Sequence, residues 1–197
     1  MKGRNTMKKK LILISLAMLL VTAAAVGTTF AYLTDKDTAR NTFTVGKVMI
    51  DLTETTGESY QMVPGCEIDK DPTVTVKKDS EKCWVFVKVE ESTNPELTKF
   101  IKYQIDENWT QLMDGNTKVP GVYYRIAEKS DDKQTFPVLK DNQVTVLDTV
   151  TKYDMAGISE VQPTLKISAY ACQYEGFYDP EKTDAGNAFA AWKEVNK

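Results

Sequence analysis

The 197-residue chain contains no histidine, and this absence excludes much of the chemistry on which hydrolases depend. A nucleophile activated by histidine cannot form, and a zinc ion cannot be held by imidazoles. The GxSxG, HExxH, Walker A and GxGxxG motifs are also missing. We therefore expect a protein that is not an enzyme, with no catalytic residues, no bound metal and no cofactor.

Cysteine is scarce as well, with three residues at positions 66, 83 and 172. An odd number in an exported chain leaves at least one thiol free or paired with another molecule. Cys66 and Cys83 are near enough in sequence to join neighbouring strands, so they are candidates for a disulfide bond. The alternative is that all three are small core residues, since free cysteine packs like a small apolar side chain.

The sequence has no metal-binding loop of familiar pattern. Its acidic residues cluster around positions 69–71, 131–132 and 179–184, in stretches expected to be loops. Oxygen ligands suit calcium, and the last cluster, with Asp179, Glu181 and Asp184, is the best candidate for it. Its spacing departs from the EF-hand loop, and solvated carboxylates are the simpler interpretation.

The first 31 residues have the organisation of a secretory signal peptide. Five basic residues among the first ten precede the mostly apolar run Leu11–Val26, and small residues occupy positions 29 and 31. Cleavage is therefore predicted between Ala31 and Tyr32, with a second potential site within residues 23–25. The run of 16 residues is shorter than the roughly 20 that span a bilayer, which argues against an uncleaved membrane anchor.

Removal of residues 1–31 leaves an acidic chain. The leader holds five of the 25 basic residues and none of the 28 acidic ones, so the mature 166 residues carry 20 basic against 28 acidic groups, a net charge of −8. Such a surface repels nucleic acid and anionic lipid. We expect a protein that binds no nucleic acid and meets the membrane only through its signal peptide.

Apolar and polar residues alternate along much of the mature chain, which is the pattern of β-strands. Cys83–Glu90 is the strongest example: one face is apolar throughout, and the other begins with Trp84 and Phe86. This aromatic face needs a cover, from the same chain or from a partner subunit. Thr42–Leu52 predicts a single strand bent by a bulge at Gly46. Further strands are predicted at residues 73–76, 121–127, 135–139, 143–147 and 165–174, the last one central in its sheet because both faces are apolar.

Many short strands without an alternating helix pattern predict an all-β fold, an antiparallel β-sandwich of jelly-roll or immunoglobulin-like topology. Short helices are predicted at Asn94–Ile101 and Thr151–Ala156, and a longer C-terminal helix from Asp184 to Val195. The predicted domains are the signal peptide (1–31), an N-terminal extension (32–41) and the sandwich (42–197).

Several stretches of the sequence resemble the TasA/camelysin family of Gram-positive exported proteins. The likeness is carried by the leader, by Gly27–Asp35 after its apolar run, and by Asn41–Val48. Weaker pieces are Pro64-Gly65, Tyr123-Tyr124 and Ala169–Gln173. The resemblance spans nearly the whole chain, and its N-terminal part is the most specific.

The resemblance implies a jelly-roll-like sandwich that is secreted to the cell surface or biofilm matrix after cleavage by a SipW-type signal peptidase. It also implies fibres, in which the segment after the cleavage site is donated as a strand to the next subunit of a homo-polymer. Here that donor strand would begin at Tyr32, Leu33, Thr34 and Asp35, and Trp84 and Phe86 are the candidate acceptor face. Other matrix proteins are further candidate partners.

Two other functions are compatible with these residues. The acidic, exported chain also suits a monomeric binding module, such as an adhesin or a fibre-accessory protein. Camelysin relatives are described as metalloproteases, but this activity does not transfer to a chain without histidine or an HExxH motif. An exported metal-dependent hydrolase is therefore the least favoured hypothesis.

Overall fold

The computed structural model describes residues 47–57, 60–158 and 161–197. The signal peptide, the cleavage site at Ala31 and Tyr32, the extension 32–41 and the first part of the predicted bent strand lie outside these residues. The described strands are β1 (Ile50–Thr53), β2 (Glu67–Asp69), β3 (Thr73–Val76), β4 (Cys83–Glu91), β5 (Ile101–Ile105), β6 (Thr110–Asp114), β7 (Thr117–Ala127), β8 (Gln134–Pro137), β9 (Leu139–Val146) and β10 (Leu165–Gln173). The helices are α1 (Lys152–Gly157) and α2 (Asp184–Val195), and Leu97–Lys99 forms a 3₁₀ turn.

The strands pair antiparallel in three sheets, with the orders β1-β3-β8, β10-β4-β7-β6 and β2-β9-β5. We refer to them as the first, second and third sheets. Only Val138 separates β8 from β9, so the chain passes directly from the first sheet into the third. The predicted all-β sandwich with a C-terminal helix is confirmed.

Strand β4 lies at the centre of the core because both of its faces are covered. On one face, Cys83, Val85 and Val87 are fully buried and belong to the same apolar cluster as Val74 and Val76 of β3. The first and second sheets are therefore held together by alternate residues of strands that the sequence pattern predicts.

The other face of β4 is covered by α2. Thr183 precedes this helix, and its hydroxyl accepts a hydrogen bond from the Gly186 backbone N–H at 3.2 Å, which caps the first turn. Ala188, Ala191 and Trp192 are then buried on one side of the helix, against the second sheet. Neither helix of the described ranges is long and apolar enough to cross a bilayer.

A third apolar cluster lies on the third sheet. It brings together Val144 and Val146 of β9, Leu97 and Phe100 at the 3₁₀ turn, and Ile158 just after α1. Thr151 begins α1 with a capping box, in which its side chain and that of Asp154 bond each other's backbone N–H groups. This cluster places α1 against the third sheet.

The sequence-based prediction is wrong for two elements and misses three strands. The segment Asn94–Ile101 forms only a 3₁₀ turn at Leu97–Lys99, because Ile101, Tyr103 and Ile105 alternate as a strand and begin β5 instead. The sequence also did not predict β2, β5 and β6.

The second error concerns β10, which is an edge strand of the second sheet and not a central one. Both faces of β10 are apolar because Ile167 and Ala169 pack on the core between the sheets, while Tyr170 packs edge-to-face on Trp192 at 5.3 Å. Burial of both faces of a strand does not require hydrogen-bonded partners on both of its edges, so apolar faces alone do not predict a central strand.

Candidate functional site

The predicted acceptor face at Trp84 and Phe86 is filled by the chain itself. Both side chains are fully buried. The ring of Trp84 stacks on Tyr174 with centroids 4.9 Å apart, and Phe86 lies 5.5 Å from Trp192 of α2. The prediction that this face receives a partner's strand is therefore wrong, because the C-terminal helix already supplies the cover.

The predicted Cys66–Cys83 disulfide is also wrong, since all three cysteines are free. Cys66 is exposed just before β2 of the third sheet, whereas Cys83 is buried at the start of β4 in the second. Burial raises the pKa of the Cys83 thiol to about 11 and that of Cys172 to about 12. Cys172 lies opposite Trp84 in the β10–β4 ladder, so it faces the opposite side of the sheet from Cys83. The alternative of small core residues holds for Cys83.

The acidic residues near the C-terminus do not form a calcium site in the described structure. Asp179 bonds the ammonium of Lys182 at 2.9 Å and accepts the backbone N–H of Glu181 at 3.0 Å, and the lysine lowers its pKa. Within residues 47–57, 60–158 and 161–197, no three His, Cys, Asp or Glu side chains converge as metal ligands would. The cluster is a local loop network.

A seam between two edge strands is the first feature suited to a contact between subunits. Across the described residues, β10 pairs with β4 alone, so its second edge has no strand partner there. Strand β1, the edge of the first sheet, lies beside β10 without pairing with it. Unpaired N–H and C=O groups of an edge strand are a template for a further strand. We call this feature the β1/β10 seam.

An apolar groove of 460 Å³ lies on the third sheet. All three strands of that sheet contribute a residue to it: Ile68 from β2, Val144 from β9 and Ile101 from β5. The walls include Met62 and Met155. Methionine adapts to irregular partners, and a concave site of this size whose walls combine aliphatic side chains with some polar groups is typical of ligand or peptide binding. We call this site the apolar groove.

A network of polar side chains lies at one end of the apolar groove. The ammonium of Lys70, which is 8% exposed, bonds both carboxylate oxygens of Glu54 at 2.7 and 3.0 Å. The hydroxyl of Tyr60 donates to the same carboxylate, and partial burial together with this bond raises the pKa of Tyr60 to about 12. Lys70 and Tyr60 both line the groove. Lys70 is the charged residue of its wall, and the carboxylate of Glu54 neutralises that charge.

Asp71 completes this network without a cationic partner among the described residues. Its carboxylate accepts the backbone N–H of Thr55 at 2.8 Å and that of Thr56 at 3.1 Å, and the hydroxyls of both threonines. These bonds, led by the Thr55 hydroxyl, lower the pKa of Asp71 from 3.8 to about 2. With Glu54 and Lys70, this end of the groove carries a net charge of −1.

Exposed apolar side chains lie close in sequence to the groove. Val63 is 49% exposed, Tyr153 is 77% and Val161 is 60%. Val63 follows the lining residue Met62, and Val161 precedes lining residues 162–165. The other exposed large apolar side chains of the described ranges, Leu52 at 36% and Tyr178 at 45%, are less open to solvent than these three. Exposed apolar side chains near an apolar groove are typical of a surface that another protein segment covers.

Sequence reasoning missed every residue of the groove. Glu54 and Lys70 are 16 positions apart, and Met155 belongs to a separate helix, so no linear pattern joins them. The one signal that was available is the isolated Lys70 between Asp69 and Asp71, a basic residue within an acidic cluster.

Comparison with known protein families, with curated proteins and with solved structures finds no match to this chain. The resemblance to the TasA/camelysin family therefore rests on the stretches of sequence that carry it, chiefly Gly27–Asp35 and Asn41–Val48.

Proposed function

We propose that the protein is a secreted structural component of the cell surface or biofilm matrix that assembles into fibres. Each subunit donates its N-terminal extension, residues 32–41, as a strand to the next subunit. The donor begins at Tyr32 once a SipW-type signal peptidase has removed residues 1–31. The protein has a structural and not a catalytic role.

The β1/β10 seam is the observation that carries this proposal. A nine-residue edge strand without a second partner in the described structure supports β-augmentation, in which an extended segment completes a sheet through main-chain hydrogen bonds. The donated segment, residues 32–41, and the acceptor strand β10, Leu165–Gln173, are different parts of the chain, so donor and acceptor surfaces differ. Head-to-tail contacts between two different surfaces leave a free donor and a free acceptor at the ends of the assembly, and they generate filaments when the rotation between subunits does not close a ring.

The acceptor in this proposal differs from the one that the sequence favoured. Trp84 and Phe86 are sealed by α2, so they serve the core of the acceptor subunit. The edge of β10 lies on the same sheet but offers backbone groups in place of an aromatic face. The donated strand therefore adds to the second sheet at its edge.

A monomeric binding module or fibre-accessory protein is the second candidate function. The apolar groove favours it, because a concave site of this kind suits a peptide of another protein, and exposed apolar side chains such as Val63 and Val161 are adjacent to lining residues in sequence. In this case the seam has no role in assembly, and the mature chain stays monomeric at all concentrations.

The test compares the mature chain, which starts at Tyr32, with a chain that starts at Phe43 and lacks the donor segment. Sedimentation and negative-stain electron microscopy measure assembly, and circular dichroism during heating establishes that both chains are folded. We expect filaments from the first chain and monomers from the second. A mature chain that remains monomeric over a wide range of pH and concentration would show that strand donation is wrong and would favour the binding module.

A further inference from the structure

We propose that the apolar groove receives Tyr32 and Leu33 of a neighbouring copy, while residues 34–41 of that copy run along the β1/β10 seam. The inference rests on the proposed function and adds to it a specific docking site for the leading end of the donor. Its basis is the place of the groove relative to the seam, the length of the segment, and the chemistry at both of its ends.

Both strands of the seam reach the groove at the same end. Leu165 is the first residue of β10 and also lines the groove. Glu54 directly follows the last residue of β1, and its carboxylate holds Lys70, which is another lining residue. The groove is therefore a continuation of the seam at the start of β10. A strand whose first residues enter the groove runs parallel to β10 and ends near Gln173.

The lengths of the two parts agree. Residues 34–41 are eight residues, which span about 26 Å as a strand at roughly 3.3 Å per residue. β10 has nine residues, Leu165–Gln173, which span about 30 Å in the same way. A segment with Tyr32 and Leu33 in the groove is thus long enough to pair with most of the edge of β10.

The donor segment changes from apolar to polar between residues 33 and 34, where it would pass from the groove to the seam. Tyr32 and Leu33 are its two large apolar residues, and they are adjacent at its leading end. The rest, Thr34–Asn41, is mostly polar and contains two acidic and two basic residues, which suits a strand at an exposed seam. The groove offers aliphatic and methionine side chains beside polar ones such as Gln61, Gln162 and Thr164, and its lysine is already paired. It therefore suits uncharged residues with a large apolar part, such as leucine and tyrosine.

Charge at the polar end of the groove favours a segment that begins at Tyr32. Glu54 and Asp71 supply two carboxylates against the single ammonium of Lys70. Cleavage after Ala31 creates a positively charged α-amino group on Tyr32, which the precursor lacks. Signal-peptide removal therefore supplies both the free end and the charge that complements this network.

Photo-cross-linking tests where the leading residues dock. The mature chain is prepared with p-benzoylphenylalanine at position 33, mixed with ¹⁵N-labelled unmodified chain under assembly conditions, and irradiated. Mass spectrometry of mixed-isotope peptides then identifies contacts between copies. We expect cross-links to peptides that contain Met62 or Met155. Cross-links between copies at other surfaces, cross-links within one copy only, or an absence of cross-links would overturn the inference.

A pair of neighbouring substitutions on α1 gives an independent measurement. Met155→Glu places a carboxylate in the groove, whereas Ala156→Glu places one on the exposed side of the same helix. We expect Met155→Glu to raise the concentration needed for fibre formation at least tenfold and Ala156→Glu to change it less than twofold. Heating curves establish that both variants are folded. If Met155→Glu forms fibres at the same concentration as the unsubstituted chain, groove docking is refuted and strand donation is not. If the unsubstituted mature chain forms no fibres, strand donation itself is refuted.

Discussion

The position of α2 decides which surface remains for a partner, and Trp192→Ala tests it directly. Trp192 is 5% exposed, and its ring lies 5.5 Å from Phe86 and 5.3 Å from Tyr170. Alanine keeps the helix propensity and removes only the side chain that fills the space between α2 and the second sheet. The substitution therefore loosens the cover of the aromatic face without changing the strands.

The expected loss of stability follows from the buried area. A buried tryptophan removes roughly 150–250 Å² from water, worth about 4–6 kcal/mol at ~25 cal/mol per Å², of which alanine retains a small part. Alanine substitutions of buried tryptophan typically cost about 3–5 kcal/mol. In a domain of this size each kcal/mol lowers the Tm by about 2–4 °C, so we expect a decrease of about 6–20 °C.

Urea unfolding followed by circular dichroism measures the free energy of unfolding, and binding of a hydrophobic dye such as anilinonaphthalene sulfonate reports exposure of the aromatic face. Glu194→Ala is the control, since Glu194 lies on the exposed side of the same helix and pairs only with Lys197. It should change stability by less than about 0.5 kcal/mol. A loss below about 1 kcal/mol for Trp192→Ala, with no added dye binding, would mean that α2 does not seal Trp84 and Phe86.

Three further results are expected. The folded state lowers the pKa of Asp71 from 3.8 to about 2. The ionised carboxylate therefore stabilises the fold above the pKa of the unfolded chain, and this effect is lost as the pH falls towards 2. On acidification, the urea midpoint should decrease less in Asp71→Asn than in the unsubstituted protein. Cys66 should react with a maleimide in the folded protein while the other two thiols react only after unfolding, as peptide mass spectrometry would show, because burial raises their pKa values and the thiolate is the reactive form. Gly121→Ala should lower the free energy of unfolding, measured in urea, by more than about 3 kcal/mol, because Gly121 has φ +67° and a Cβ there would press on a backbone carbonyl of β4. Gly115→Ala is the matched variant: its φ is +57°, its Cβ would meet no atom, and it should cost about 1–2 kcal/mol.

A different result would contradict each of these three predictions. The exposed Asp132→Asn serves as the acid control. An equal effect of both asparagine variants would mean that the threonine bonds do not hold Asp71 ionised. Labelling of Cys83 in the folded protein would contradict its burial. Equal losses at the two glycines would show that backbone conformation alone, and not the close approach to β4, sets the cost at Gly121.

The strands with regular alternation were predictable because side-chain direction in a strand follows sequence position. The strands Cys83–Glu90, Thr73–Val76 and Leu165–Tyr174 were predicted in this way, and so was the C-terminal helix with its apolar residues at helical spacing. The missed strand β2 is three residues long, and β5 follows a proline-containing turn that suggested a helix start. Short strands carry too few positions for a period to be read.

The all-β class, the C-terminal helix and the two-sided apolar character of β4 follow from local periodicity, so they can be predicted from the order of the residues. Three other features depend on long-range contacts: α2 covers Trp84 and Phe86, β10 is an edge, and Glu54 meets Lys70 beside an apolar groove. Local patterns specify which faces avoid water, but which element covers each face is fixed by contacts between residues far apart in the chain.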